Sequence, residues 1–293
     1  MQTTAALTKL TGKPVTKPMS LNRQRLILTF HNPMAVAGMV VILIWIILAF
    51  IGPFLRTYSF MEFAGGPWTS PSAKHWLGTD GNGRDIFVRL TMGARLALVV
   101  PTTAIIIAVL FGSTAGLATG YFGGIVDDVV MRVMDIMMAF PMLMLYMLII
   151  YAIGPSVLNV IIAIAIGSTP GIARLVRSLT IDLKTREFVA AAQLRGESGW
   201  YIMMREILPN ISGPLLVDAC VRMSYALFAT GALGFLGLGV PPPFPDWGQM
   251  INDGRAVVMM TPWAPLWPMF ALISVVIALN MIADGMRQAG WVD

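Results

Sequence analysis

Long uncharged apolar runs alternate with short polar stretches along the 293-residue chain. A run of about 20 such residues can cross the hydrocarbon core of a bilayer as a helix. The first covers 32–55 and the second 96–121. A third, 136–173, continues for 38 residues without a charge, too far for one helix, and carries the turn signal Gly154-Pro155-Ser156 near its middle. It is expected to fold as two helices of about 18 residues each, joined by a tight turn. Later runs cover 214–240 and 265–283. The pattern therefore predicts an all-α polytopic membrane protein with six transmembrane helices.

Three polar stretches interrupt this frame, at 56–95, 174–210 and 241–263. With six spans both termini share one side. That side holds 13 Lys and Arg, including Lys9, Lys13, Lys17, Arg23 and Arg25 of the N-terminal tail, against six on the other. Positive charge collects on the cytoplasmic side. Both termini and 174–210 are thus expected inside, and 56–95 and 241–263 outside. Residues 1–31 read as a cytoplasmic tail, because the apolar run that follows them is bilayer-length rather than the shorter core of a cleavable signal.

Composition agrees: 57% of residues are hydrophobic and only 12% charged, about half the charged share of soluble domains. A net charge of +5 suits anionic lipid headgroups, and no basic stripe interleaved with aromatics points to nucleic acid. The single Cys220 excludes an intrachain disulfide framework and reads as a small buried side chain. His31 and His75 fall on opposite sides of the membrane and cannot share a metal. No catalytic constellation emerges. Gly12-Lys13 is followed by Pro14, so no phosphate-cradling loop is present, and neither ATP hydrolysis nor a bound cofactor is expected of this chain.

The polar stretch at 187–210 is unusual in such a setting. Thr185 can cap a helix, and Glu187 places negative charge in its first turn, where the helix dipole favours it. Phe188, Ala191, Ala192 and Arg195 recur at helical spacing as one face, whose alanines leave room for close contact with another surface. Gly196 is expected to end this helix through a left-handed cap. A second short helix follows, with Trp200, Tyr201, Met204 and Ile207 along one face, and Leu208-Pro209-Asn210 is expected to stop it and turn the chain back into the bilayer. A short helix joined rigidly to two spans can act as a lever.

The spacing Glu187-Phe188-Val189, Ala191-Ala192, Gly196 and then Ile207-Leu208-Pro209-Asn210 resembles the coupling loop of permease subunits in bacterial ABC importers. Leu77-Gly78-Thr79-Asp80, Gly83, Arg84 and Asp85 are similar to a segment that follows the first span in C-type permeases of dipeptide, oligopeptide and nickel importers. Residues 120–141, 234–248 and 279–287 resemble the same subfamily, so the likeness runs through about residues 30–290 in order. It implies half of a translocation pore in the bacterial inner membrane. The implied partners are a B-type permease, two ATP-binding subunits holding ATP and magnesium, and an extracytoplasmic substrate-binding protein. It also implies docking of Glu187, Phe188, Ala191, Ala192, Gly196, Glu206, Leu208 and Pro209 on an ATPase. The chain then divides into a tail (1–31), a first helix with its extracytoplasmic segment (32–95), a five-helix core (96–288) containing the coupling loop (182–210), and a C-terminal tail (289–293).

Two departures matter. Glu206 stands where the family often has His, and Ala229 where it often has an acidic residue. The fifth span instead carries Asp218 and Arg222, four apart, which can pair on one helix or line an aqueous pathway. Its glycines at 231, 234, 237 and 239 mark it as the expected pore-lining and interface helix. The DGNGRD string at 80–85 resembles the start of a calcium loop, but Arg84 and Thr91 occupy ligand positions, which favours a structural turn with Arg84 bridging outer loops. Asp127, Asp128, Arg132 and Asp135 read as a solvated helix start. Di- or oligopeptide is the expected substrate. Nickel, glutathione or another small solute, an ion-coupled carrier, and a non-transporting scaffold are the alternatives.

Overall fold

A computed structural model describes residues 21–292. These residues form helices and loops, with one isolated bridge, Thr79 to Asp85, in place of any strand. Helix α1 is Leu21–His31 and α2 Pro33–Ile51. Asn32 separates them: its side chain accepts the N–H of Met34 at 2.9 Å, and Pro33 takes the first helical position, where no donor is needed. After the outer segment come α3 (Ile86–Phe122), α4 (Gly124–Met138), α5 (Met142–Ile153), α6 (Val157–Lys184) and α7 (Glu187–Leu194). The chain closes with α8 (Gly199–Phe235), α9 (Trp247–Arg255) and α10 (Trp263–Gln288).

Among the described residues, five helices are long and apolar enough to cross a membrane: α2 with its 3-10 extension, α3, α6, α8 and α10. A sixth span exists only if α4 and α5 are taken together, and they meet at 93°. Here the expectation of two helices from 136–173 is half corrected. The turn at 154–156 is present, with Ser156 capping α6. The first half, however, breaks at Pro141, and α5 alone has 12 residues, about 18 Å against a core of about 30 Å. The start of the second span is also corrected. Asp85 caps α3 by accepting the N–H of Val88, so the helix begins ten residues before residue 96, and the boundary at 95 lies inside it.

Small residues hold the bundle together. Gly112, Gly116 and Gly120 on α3 face Ile172, Ala173 with Val176, and Thr180 on α6. A Cβ on Gly116 would lie 2.5 Å from the Ala173 carbonyl oxygen, so the backbones touch there. Such spacing suits membranes, where tight packing replaces the hydrophobic effect as the glue between helices. Gly38 on α2 meets the Ala278 carbonyl of α10 in the same way. The ends of the bundle are distinct. Thr29, Gly120, Thr180, Gly199, Gly213 and Trp291 cluster at one end, while Gly52, Gly78, α9 and Trp263 gather at the other.

Candidate functional site

At the first end, α6 runs to Lys184, whose ammonium donates to the Tyr121 carbonyl and lies over its ring. Thr185 does not cap α7. Its hydroxyl donates instead to Asp182, and Arg186 occupies the cap position without a side-chain bond. The face of α7 is also corrected by one residue. Val189 and Ala192 are fully buried in a core cluster that also holds Ile172 and Val176 of α6, Leu117 of α3, and Ile202 and Ile207 of α8. Glu187, Phe188, Ala191 and Arg195 stay exposed, and Leu194 projects at 90% of its free surface. One side of α7 is therefore part of a core shared with three long helices, and its other side offers apolar and charged groups to whatever lies beyond.

Gly196 has φ of 75°, the left-handed conformation expected of it, with open space around its Cα. Ser198 then caps α8 by accepting the Tyr201 N–H at 3.2 Å. Contrary to expectation, Leu208-Pro209-Asn210 ends nothing. The helix continues from Gly199 to Phe235 through a π turn at Ile202–Ile207. Pro209 lacks the N–H that the Arg205 carbonyl would receive in an α-helix. The wider turn answers this: the Leu208 N–H reaches Met203, and the Asn210 side chain donates to the Glu206 carbonyl at 2.6 Å. The expected second face is replaced as well. Ile202, Met203 and Ile207 point inward, while Trp200 is 63% exposed beside α7. Glu206 and Arg195 pair at 3.3 Å, tying α7 to α8.

Within the membrane part of α8, Arg222 donates through Nε to Asp218 at 2.5 Å, each side chain about one quarter exposed. Of the glycines expected to mark this helix, Gly237 and Gly239 lie beyond its end at Phe235; Gly237 is exposed, and the other three are packed. Gly231 meets Leu272 of α10, while Gly234 and Gly239 close around Asp246, the residue that caps α9. Burial pushes the Asp246 carboxyl above its ordinary range, against the N–H groups of Gln249, Gly248 and Val240. The open stripe of α8 instead carries Asp218, Arg222, Tyr225 and Phe228.

At the opposite end, the 78–85 motif folds on itself. Asp80 accepts the N–H groups of Asn82 and Arg84 and the Arg84 side chain at 2.8 Å, so Arg84 closes its own turn rather than bridging loops. Arg89, almost fully buried, does the bridging: it lies 3.3 Å from Asp80 and donates to the Phe60 carbonyl. Thr79 donates to Gly66, and buried Asp85 pairs with His75 at 2.9 Å. Gly78 and Gly83 have φ of 83° and 73°, and a Cβ on Gly83 would lie 2.2 Å from the Gly65 carbonyl. Beside this turn opens a polar cleft of about 460 Å³, lined by Trp68, Asp80, Arg84, Arg89 and Asp253. Near the α7 end, Asp127 and Asp135 of α4 are held by Arg177 and Arg174 of α6, so that helix start is pinned as well as solvated.

The bundle of long apolar helices is that of a polytopic membrane protein, and comparison with known proteins gives its family. The chain belongs to the binding-protein-dependent transport system inner membrane components, whose model matches residues 108–289. Residues 26–73 match the N-terminal TM domain of oligopeptide transport permease C. The dipeptide transport system permease protein DppC of Alkalihalophilus pseudofirmus is 42% identical over 88% of this chain and 85% of its own length. Glutathione transport system permease protein GsiD of Pectobacterium atrosepticum is 35% identical over 87% and 85%, and DppC of Bacillus subtilis 35% over 88% and 81%. The chain is thus a multi-pass inner membrane component of an ABC importer, and its relatives are permease subunits rather than enzymes.

Proposed function

We propose that this chain forms one half of the pore of a di- or oligopeptide importer and transmits ATP-driven motion to it through α7. The observation that carries the reading is the two-sided placement of α7, with Val189 and Ala192 buried among three long helices and Leu194 almost wholly exposed. A partner pulling on Phe188, Leu194 and Arg195 moves α3, α6 and α8 together. That partner is one of two ATP-binding subunits, which hold ATP and magnesium. A B-type permease completes the pore. The α7 end is cytoplasmic, as are both termini, so the 56–85 turns and α9 face the binding protein outside; α4 and α5 together supply the sixth crossing.

Transport follows from alternating access. Substrate moves inward only if ATP stabilises the outward-open state over the inward-open one, a differential that the α7 contact supplies. The continuous helix from Gly199 to Phe235, tied to α7 by the Arg195–Glu206 pair, carries that motion into the span. Glutathione is the second reading for the substrate, supported by the GsiD relatives. In vesicles carrying the four-subunit complex, labelled dialanine is expected to accumulate only with internal ATP and external binding protein. Accumulation by this chain alone, driven by an ion gradient, would contradict the proposal in favour of an ion-coupled carrier.

A further inference from the structure

Asp218, Arg222, Tyr225 and Ala229 recur at i, i+4, i+7 and i+11 and form one stripe along α8. Arg222 lies 13 residues from Phe235 and 15 from Ile207, about 20 Å of helix in each direction, so it sits near mid-membrane. Charged groups at that depth face a bundle interior or water rather than lipid. This depth also removes snorkelling as an account of the pair. Beside Arg222 is a cavity of about 330 Å³ between α5, α6 and α8, whose lining includes the hydroxyl-bearing residues Tyr146, Ser168 and Tyr225. Its remaining lining is apolar, and no carboxylate borders it.

Arg222 is only partly engaged. Asp218 takes its Nε, and among the described residues no hydrogen bond reaches Nη1 or Nη2. The guanidinium packs against α6 at Gly171, where a Cβ would come within 2.5 Å of Nη1 and 2.9 Å of Nη2. The glycine thus admits a planar fork close to the helix backbone. The polar residues of the cavity lining are all of donor type: Arg222, Tyr146, Ser168 and Tyr225. A carboxylate is the group that such a set matches, because it accepts two parallel N–H bonds from Arg and further bonds from hydroxyls. A divalent cation would be repelled there.

We propose that Arg222, backed by Tyr225, is a pathway contact for the substrate's carboxylate, and that Asp218 holds the guanidinium ready without consuming its outer edge. The inference rests on the peptide-permease reading and narrows it to carboxylate-bearing substrates, which include both a dipeptide with a free C-terminus and glutathione.

The test uses the complete complex in vesicles, with labelled dialanine and glutathione as probes and ATPase stimulation by loaded binding protein as a second readout. A neutral pair, Asp218→Asn with Arg222→Gln, removes both charges and leaves no orphaned ion. It is expected to keep ATPase stimulation within about twofold of wild type while uptake of the transported probe falls at least about tenfold. Uptake restored by the neutral pair would show that the ion pair is structural only and overturn the inference. Should the neutral pair fail to assemble, Arg222→Lys decides. It keeps the charge and loses the fork, so uptake is expected to fall several-fold, and unchanged uptake overturns the inference. Failure of the peptide reading looks different: the wild-type complex itself would import neither probe.

Discussion

Replacing Gly116 with isoleucine is expected to prevent a stable chain from forming, whereas Thr114→Ile, two residues away on the exposed face, is expected to be tolerated. The reason is the contact between α3 and α6. A Cβ at residue 116 would lie 2.5 Å from the Ala173 carbonyl, 2.7 Å from the Val176 Cβ and 2.9 Å from the Arg177 nitrogen. Two of those three atoms are backbone, so no rotamer change relieves the clash and the helices must separate. Overpacking of this kind costs about 3 kcal/mol or more, and separation would also open the contacts at Gly112 and Gly120. Thermal unfolding in detergent, with the fraction of monodisperse protein, is the measurement. The Gly116→Ile chain should unfold many degrees below wild type or be recovered only as aggregate, and the Thr114→Ile chain should match wild type within a few degrees.

The second large effect is functional and leaves the fold alone. Leu194 is 90% exposed and touches no core cluster. Leu194→Asp should therefore alter the chain's own stability by no more than about 0.5 kcal/mol. In the proposed docking on an ATPase the same residue becomes covered. Losing one buried leucine costs about 1.5–3 kcal/mol, and placing a carboxylate in its stead adds a desolvation cost. Uptake by the complete complex is expected to drop at least about tenfold while the thermal unfolding of the isolated chain stays unchanged. Val189→Asp should do the reverse, damaging the chain itself, because Val189 is fully buried in the core cluster to which α3, α6 and α8 contribute.

The contrast between those two residues also shows where the sequence was readable. Helix ends announced by local chemistry appear where the residues place them: Asn32 before Pro33, Ser156 after the Gly-Pro turn, and the left-handed Gly196. The spacing of Asp218 and Arg222 allows the pair that forms, while leaving a pathway role open. Other features depend on partners distant in the chain. Arg89 and Arg95 look like loop charges, yet both lie within α3, the first held by Asp80 and the Phe60 carbonyl and the second by the Ala49 carbonyl. The break at Pro141 hides inside an uncharged run, where hydropathy gives no boundary. Pro209 reads as a stop, but the π turn and the Asn210 side chain absorb its missing donor. On α7 both faces carry small apolar residues, so composition could not tell the inward Val189 and Ala192 from the outward Ala191. The four-residue spacing of Gly112, Gly116 and Gly120 is the sequence signal that most directly marks the α3–α6 contact, although their partners on α6 have no matching signature.

In the proposed function α7 docks on an ATP-binding subunit at the cytoplasmic side. A photo-crosslinking residue at position 194 in the assembled complex tests it most directly, with the binding protein supplied from outside. Irradiation is expected to join this chain to an ATP-binding subunit, with a yield that changes when ATP is added. A product formed with the binding protein instead would place α7 on the opposite side of the membrane, and with no product at all in a complex that still imports substrate, α7 would be a connector rather than a lever.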